Sequence, residues 1–207
     1  QIMNAQNNDT KKADKHFDRL EFVDAIEDYE KLISKGKANA YVYRQLAIAN
    51  YNILKTEESA TYYKQYLDMA DSASKEDYFN YAQILMSNEN YDEAKKAYQQ
   101  FAAKAPNDSR SQAFLNNPDF AEDLMNMAAN YEIEALELNS EYSDFAGYEN
   151  DTYLYFTSSR NQSRRTYGWN EQPTTDIYRA ENVAGTFKNE ELVDGDINTK
   201  FNEGTIA

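Results

Sequence analysis

The side chains that carry most enzyme chemistry are scarce in this chain, which has one histidine, His16, and no cysteine. A Ser-His-Asp arrangement could be built only around His16. Zinc sites draw mainly on cysteine and histidine, and phosphate-binding loops need a glycine-rich turn that the sequence lacks. The sequence therefore predicts a non-catalytic protein without a cofactor.

One acidic cluster has the spacing of a cation-binding loop. Asp194, Asp196 and Asn198 stand at positions i, i+2 and i+4, as at the start of a calcium loop. Thr199 replaces the glycine expected next, and Thr205 stands where a closing glutamate is expected. A calcium site and a solvated turn between two strands are the alternatives, and both departures favour the turn.

Composition narrows the classes of partner. The 207 residues carry a net charge of −15 with a pI near 4.5, so nucleic acid is excluded because its phosphates would be repelled. Apolar runs are only a few residues long, too short to span a bilayer. The first residue is Gln1, as expected after removal of a signal peptide, which predicts export. A start inside a longer chain would give the same first residue.

Three copies of one pattern recur in residues 1–130. Alanines mark the copies in two sets: Ala13, Ala47 and Ala82, which are 34 and 35 residues apart, and Ala25, Ala60 and Ala94, which are 35 and 34 apart. Small side chains let two antiparallel helices approach closely. The pattern resembles the tetratricopeptide repeat, which implies a solenoid of paired helices, with a generic array of helical hairpins as the alternative. One extra residue before Ala60 predicts a distorted turn in the middle copy.

A concave surface in such a solenoid is lined by the first helix of each pair. By register, the partner-binding candidates there are Tyr41, Arg44, Tyr51, Phe79 and Gln83. They either line a groove for a partner segment or pack against the following helix.

A capping helix is expected after the third copy. Asn117 is predicted to cap it, with Pro118 at its first helical position. An apolar stripe follows at Phe120, Leu124, Met127 and Ala128.

Residues 131–207 change character and predict a second domain. Five of the six glycines fall after residue 146, and turn signals bracket four strand candidates. These are Tyr131–Leu138, Thr152–Thr157, Asp176–Ala180 and Phe187–Val193. The run from Tyr153 to Phe156 is apolar on both faces, as in a sheet covered on both sides by neighbouring propeller blades.

Two motifs in this region resemble a known family. Ser143-Asp144-Phe145 leads towards the run from Phe156 to Arg160, and this block is similar to the opening blade of TolB-like, WD-type β-propellers. More narrowly, the block is similar to the form found in Bacteroidota outer-membrane proteins of the OmpA family, PorE-like proteins among them. Residues 202–207 resemble the start of a next blade, while Ala146-Gly147 departs from the family's usual Gly-Pro.

The resemblance implies a fold class and a function. The fold would be multidomain α + β, with an N-terminal tetratricopeptide solenoid followed by the first blade of a propeller. The protein would be a periplasmic adaptor, bound to an outer-membrane barrel of the PorP/SprF type in type IX secretion, gliding or anchoring of a secreted surface adhesin. A C-terminal domain beyond these residues would hold peptidoglycan. The alternative is a peptide-binding or chaperone-like module for secreted clients.

A basic and aromatic stretch completes the candidate sites. Arg164, Arg165 and Trp169 lie close together in sequence, after an acid-rich stretch at 132–151. Arginine and tryptophan are favoured at interface hot spots, so these three residues are predicted to dock a partner from an exposed loop. Pairing within the chain, or simple solvation, is the alternative.

Overall fold

The computed structural model describes residues 9–127 and 131–204. The chain divides into two compact units, Gln1–Ala129 and Asn130–Ala207. The first unit is helical and the second is built on a four-stranded sheet. Within the described residues, no helix has the length and apolar character needed to cross a membrane.

Helices of 6 to 14 residues make up the described part of the first unit. They are α1 Lys11–Asp18, α2 Phe22–Ser34, α3 Ala40–Asn52, α4 Thr56–Met69, α5 Lys75–Ser87, α6 Tyr91–Lys104, α7 Ser109–Asn116 and α8 Phe120–Met125. From α1 to α7, each helix packs against the next one along the chain. This sequential packing is the architecture of a helical solenoid.

The turns inside the first three helix pairs are alike. Each contains one left-handed residue, at Leu20 (φ 61°), Leu54 (φ 63°) and Glu89 (φ 57°). The following amide closes the helix end in the same way each time; in the middle copy Lys55 N donates to Asn50 O at 2.9 Å, as in a Schellman motif. The prediction of a distorted middle turn is therefore wrong.

The reason is that Ser59, not Ala60, occupies the buried position of the middle copy at which the repeat needs a small side chain. Ser59 is fully buried, like Ala25 and Ala94, and all three stand five residues after their left-handed turn residue. The Ser59 hydroxyl, which an alanine would lack, donates to Ala47 O at 2.7 Å. The buried hydroxyl therefore has a hydrogen-bond partner. The extra residue falls later, within α4, which has 14 residues where α2 has 13.

Large side chains fill the space between the helix pairs. Tyr29, Leu46, Tyr63 and Phe101 are all almost completely buried. Burying such side chains is worth about 1.5–3 kcal/mol each. This apolar layer fixes the positions of the side chains at the surface of α5 and α6.

The end of the helical unit differs from the prediction. Asp108 caps α7 by accepting from Arg110 N at 3.1 Å, and Asn117 ends that helix. Pro118 lies in a turn and α8 begins at Phe120, so the predicted cap at Asn117 is wrong. The stripe at Phe120, Leu124 and Met127 is more than half exposed, and Ala128 lies outside the described residues.

The second unit is an antiparallel meander. Its strands are β1 Asp144–Glu149, β2 Tyr153–Ser158, β3 Asp176–Val183 and β4 Thr186–Leu192, in that spatial order. Leu154, Phe156 and Ala180 form the buried face, against which Leu138 packs. Three predicted strands are present in this sheet, within a few residues of the predicted bounds.

The predicted strand Tyr131–Leu138 is wrong, and β1 was missed. Residues 131–136 have no regular structure, and Tyr131 and Ile133 are 85% and 93% exposed. Alternation alone predicted a strand there, but the described sheet gives it no neighbouring strand. In β1 a bulge breaks the alternation, because Ala146 (φ 57°) and Gly147 together face one residue of β2.

Candidate partner-binding groove

A groove of about 440 Å³ lies between α5, α6, α7 and the start of α8. Aromatic and apolar side chains dominate its walls, among them Phe79, Met86, Tyr98, Phe114 and Phe120. The polar side chains at its edges are Gln83, Lys95, Arg110, Asn117, Asp119 and Glu122. Mostly apolar concave sites with a few polar groups are typical of binding sites.

Helix α5 supplies one wall through its periodicity. Phe79, Gln83 and Met86 are spaced by four and three residues, so they share one face of the helix. Ser74 fixes the start of α5 in a capping box with Asp77. The capping box therefore fixes the residue at which α5 begins. That start determines which side chains of α5 face the groove.

Aromatic contacts hold the floor and the far wall. The Phe79 ring lies 5.1 Å from Phe101 and 6.1 Å from Tyr98, and Tyr98 stacks on Phe114 at 5.3 Å. Aromatic pairs at these distances add about 0.5–1.5 kcal/mol beyond burial. Burial first, and Tyr51 nearby second, raise the pKa of the Tyr98 hydroxyl, so this wall stays neutral.

Arg110 closes one end of the groove. Its guanidinium lies 4.3 Å from the Phe79 ring centre and donates to both oxygens of Glu76, each at 2.9 Å. It also donates to both oxygens of Asp108, at 3.0 and 2.8 Å. The hydrogen bonds that Arg110 donates to Asp108, and then those to Glu76, raise the pKa of Arg110. Its charge is thus committed to two carboxylates of its own unit.

Lys95 lies at the other end, beside α8. Its ammonium donates to Asp119. That hydrogen bond, followed by the charges of Glu122 and Asp92, raises the pKa of Lys95. Two of these carboxylates, Asp119 and Glu122, line the groove together with Lys95.

The structure brings two of the predicted concave residues together at the groove, Phe79 and Gln83. Tyr51 is 41% exposed at the end of α3. Its charge contributes to the raised pKa of Tyr98.

Tyr41 and Arg44 each donate a hydrogen bond to a buried carboxylate. The Tyr41 hydroxyl donates to Asp14 at 2.9 Å. Burial, with that bond, raises its pKa to about 12. Arg44 donates to Asp77 at 2.7 Å. Burial of Asp77 would raise its pKa, but donors from Ser74 and Arg44 hold it below the ordinary value.

Arg164, Arg165 and Trp169 belong to the second unit and differ in surroundings. Arg164 donates through two nitrogens to Asp176, which is fully buried. Arg165 is exposed and Trp169 is 51% exposed. The interpretation of Arg164 as part of an exposed loop is therefore wrong, because its charge compensates a buried carboxylate.

Residues of the motif between Ser143 and Arg160 have structural roles in the sheet. Arg160 donates to Asp144 at 2.8 Å and to Leu138 O at 2.9 Å. Ser143 and Ser159 both donate to the carboxamide of Gln172, at 2.6 and 2.8 Å. Burial would raise the pKa of Asp144, but hydrogen bonds led by Arg160 lower it.

In the acidic cluster near residue 194, the Asn198 side chain forms hydrogen bonds with the backbone of two segments. Asn198 accepts from Ile177 N at 2.6 Å and donates to Val193 O at 2.9 Å. The Asn198 side chain is thus held by backbone groups of β3 and of the segment after β4, an arrangement that favours the turn between strands. Within the described residues, the side chains grouped closely enough to share an ion are His16, Glu21 and Asp24, where His16 Nδ1 lies 2.7 Å from Glu21 Oε2.

Sequence reasoning missed Arg110 and Phe114, which form the α7 side of the groove. The available signal was Asp108 followed by Ser109, a helix start, with Phe114 on the same helix. The run of four polar residues from Ser109 to Gln112, before Ala113, concealed the helix.

Residues 76–108, which form most of α5 and all of α6, match the tetratricopeptide repeat family. No curated protein matches the chain.

Three solved structures of tetratricopeptide repeat proteins are similar to part of this chain. The C-terminal part of a tetratricopeptide repeat-containing protein from Cytophaga hutchinsonii is 22% identical over 56% of this chain, with a TM-score of 0.48; the match spans 45% of that protein chain. The first tetratricopeptide domain of Spaghetti (RPAP3), bound to an HSP90 peptide, is 19% identical over 55% of this chain and 90% of its own, with a TM-score of 0.47. The Sgt2 domain from Aspergillus fumigatus is 16% identical over 65% of this chain and 93% of its own, also with a TM-score of 0.47.

Proposed function

We propose that this protein is a non-catalytic adaptor whose helical unit holds a segment of a partner protein in the groove between α5 and α8. A tetratricopeptide repeat implies a protein–protein interaction scaffold. The observation that carries the proposal is the aromatic groove of about 440 Å³ beside that repeat. Phe120 is 57% exposed at its edge, so an incoming apolar side chain would bury surface that now faces water.

The proposal includes a location and a partner, both from the family resemblance of the second unit. The protein would act in the periplasm, bound to an outer-membrane barrel of the PorP/SprF type and to its surface adhesin. A further domain would link this assembly to peptidoglycan. This part rests on analogy with a family and not on the chemistry of the groove.

The sheet supports a propeller blade as the finer description of the second unit. After β4 the chain returns across the sheet, where Glu203 N donates to Thr175 O at 3.1 Å and Thr157 donates to Gly204 O at 2.8 Å. It thereby passes from the outer strand back to β2, as a chain does when it moves to the next blade. Phe145 and Tyr148 on β1 are nearly half exposed, as expected of a strand whose neighbours would be other blades.

A second candidate is a module that binds extended peptides of many clients. The size of the groove favours it, because about 440 Å³ accepts a few side chains and not a large folded surface. It predicts weak complexes with several clients, whereas the adaptor predicts one stable complex with a large interface.

Purification of the tagged full-length protein from its native envelope in mild detergent tests the adaptor. After a high-salt wash, mass spectrometry should find one outer-membrane barrel in stoichiometric amount. Gln83→Arg, which places a long side chain in the groove, should lose the barrel. Gln99→Arg is the matched control, because Gln99 is exposed on α6 outside the groove, and it should retain the barrel.

Two outcomes would contradict the adaptor proposal. A clean protein, or a spread of substoichiometric clients, would exclude the adaptor and favour the peptide-binding module. Retention of the barrel by Gln83→Arg would show that the groove is not the contact.

A further inference from the structure

The basic side chains that line the groove are already paired with carboxylates of the helical unit. Arg110 makes four hydrogen bonds to Asp108 and Glu76, and Lys95 donates to Asp119. Recognition of an acidic segment requires cations that can pair with its carboxylates. Breaking either arrangement to bind such a segment would leave carboxylates of the protein unpaired.

Negative charge, in contrast, is in excess at the α8 end of the groove. Asp119 and Glu122 line this end of the groove, where Lys95 is the basic lining residue, and Asp92 directly follows the lining residue Tyr91. Asp92 and Glu122 are exposed, and among the described residues neither forms a salt bridge. Both are therefore available to an incoming cation, and the whole chain adds a net charge of −15.

Apolar surface lies directly beside these carboxylates. Glu122 follows Phe120 in α8 and lines the same groove as Phe79 and Tyr98. Asp92 follows Tyr91, whose ring also lines it. A ligand that fits both features must carry an apolar side chain next to a basic one.

We propose that the segment held in this groove is an apolar–basic segment of a partner protein, in which an aromatic or aliphatic side chain enters the groove and a flanking lysine or arginine faces Asp92 and Glu122. This inference rests on the proposed function, since it specifies the partner of the same groove. Charge complementarity of this kind chiefly sets specificity and association rate.

Two synthetic peptides test the inference on the full 207-residue chain. Both have blocked ends and the core Leu-Phe; one is flanked on each side by two lysines and the other by two glutamates. We expect the lysine peptide to bind about tenfold more tightly at low salt, since a few exposed pairs contribute modestly each. The difference should shrink as salt is raised. Isothermal titration calorimetry at both salt concentrations measures it.

A double variant identifies the carboxylates responsible. Asp92→Asn with Glu122→Gln should bring the affinities of the two peptides to within about twofold of each other. Glu57→Gln with Asp68→Asn is the matched control, because it removes the same two charges from exposed positions of α4. The control should keep the full preference for the lysine peptide.

Equal binding of the two peptides, or tighter binding of the glutamate peptide, would overturn the inference and leave the groove as a binding site. An unchanged preference in the Asp92/Glu122 double variant would also overturn it, because the attraction would then come from the net charge of the chain. Absence of binding by both peptides would overturn it too. The adaptor itself is judged independently by the barrel copurification, which uses no peptide.

Discussion

The helical unit and the sheet unit bury different kinds of side chain. In the helical unit, Tyr29, Tyr63 and Phe101 fill the spaces between helix pairs and are fully buried. In the sheet unit, a large part of the buried set is polar, including Thr157, Ser158, Ser159, Thr174 and Asp176. The first unit is therefore held mainly by apolar packing that repeats along the chain, and the second by a polar network at one end of its strands.

This difference explains which sequence patterns could be interpreted correctly. A residue type that recurs at a fixed spacing, such as the tyrosine at 29 and 63, reports a packing position in each copy. A polar residue that occurs once gives no such indication. Arg164 was interpreted as a docking residue for that reason, although it compensates the buried charge of Asp176.

The largest expected effect tests the apolar side of the comparison. Phe101→Ala should lower the free energy of unfolding of the helical unit by about 3–5 kcal/mol, because it leaves a cavity under Phe79. Leu115→Ala on α7 is the control, since Leu115 is 53% exposed, and should cost less than about 1 kcal/mol. Chemical denaturation followed by circular dichroism measures both, and a loss at Phe101 no larger than the control would contradict the apolar account.

A smaller effect tests the polar side. Arg160→Ala should destabilise the sheet by about 2–3 kcal/mol, because hydrogen bonds to charged groups contribute about 1.5–3 kcal/mol and Asp144 would lose its cation. Arg165→Ala removes the same charge from an exposed position and should change stability by less than about 0.5 kcal/mol.

Hydrogen–deuterium exchange of peptides from residues 144–192 distinguishes the two arginine variants. Equal protection in both would mean that the polar network does not stabilise the sheet.

The smallest effect concerns the pH dependence of the stability of the helical unit. The folded pKa of Tyr41 is raised from 10.0 to about 12 by burial and by its bond to Asp14. A raised folded pKa contributes stability that is fully present below pH 10 and is lost as the pH rises towards 12. At about pH 11 the helical unit should therefore lose about 1 kcal/mol through this group.

Denaturation of the wild type and of Tyr41→Phe at about pH 8 and about pH 11 checks this. The variant removes the titrating hydroxyl, so its stability should fall less steeply with pH. Parallel pH dependence of the two proteins would exclude Tyr41 as the cause.

Much of the helical unit could be predicted because the same residue types recur at nearly the same spacing in three copies. The tetratricopeptide interpretation is confirmed for residues 76–108. One detail failed because Ala60 stands next to Ser59 and both are small, so only the geometry of the turn at Leu54 shows which is buried. The groove was only partly predictable, since Phe79 and Gln83 follow from register whereas Arg110 and Phe114 lie on a helix outside the three copies.

In the second unit, β2, β3 and β4 were predictable from short strand-forming runs between turn signals, and β1 was not. The bulge at Ala146 and Gly147 shifts its inward residues out of alternation. Residues 131–136 show the converse, because alternation is present there without a neighbouring strand. Whether the four strands belong to a propeller stays a prediction.

The bulge in β1 also affects how the isolated sheet would behave in concentrated solution. β1 and β4 are the two edges of the described sheet, and unpaired edges invite strand addition by another molecule. At one edge, the left-handed Ala146 bends the backbone away from the straight path that a foreign strand would need. At the other, Lys188, Glu190 and Glu191 are exposed along β4 and would oppose pairing with an apolar strand. Both edges therefore carry protection against fibril-like self-assembly.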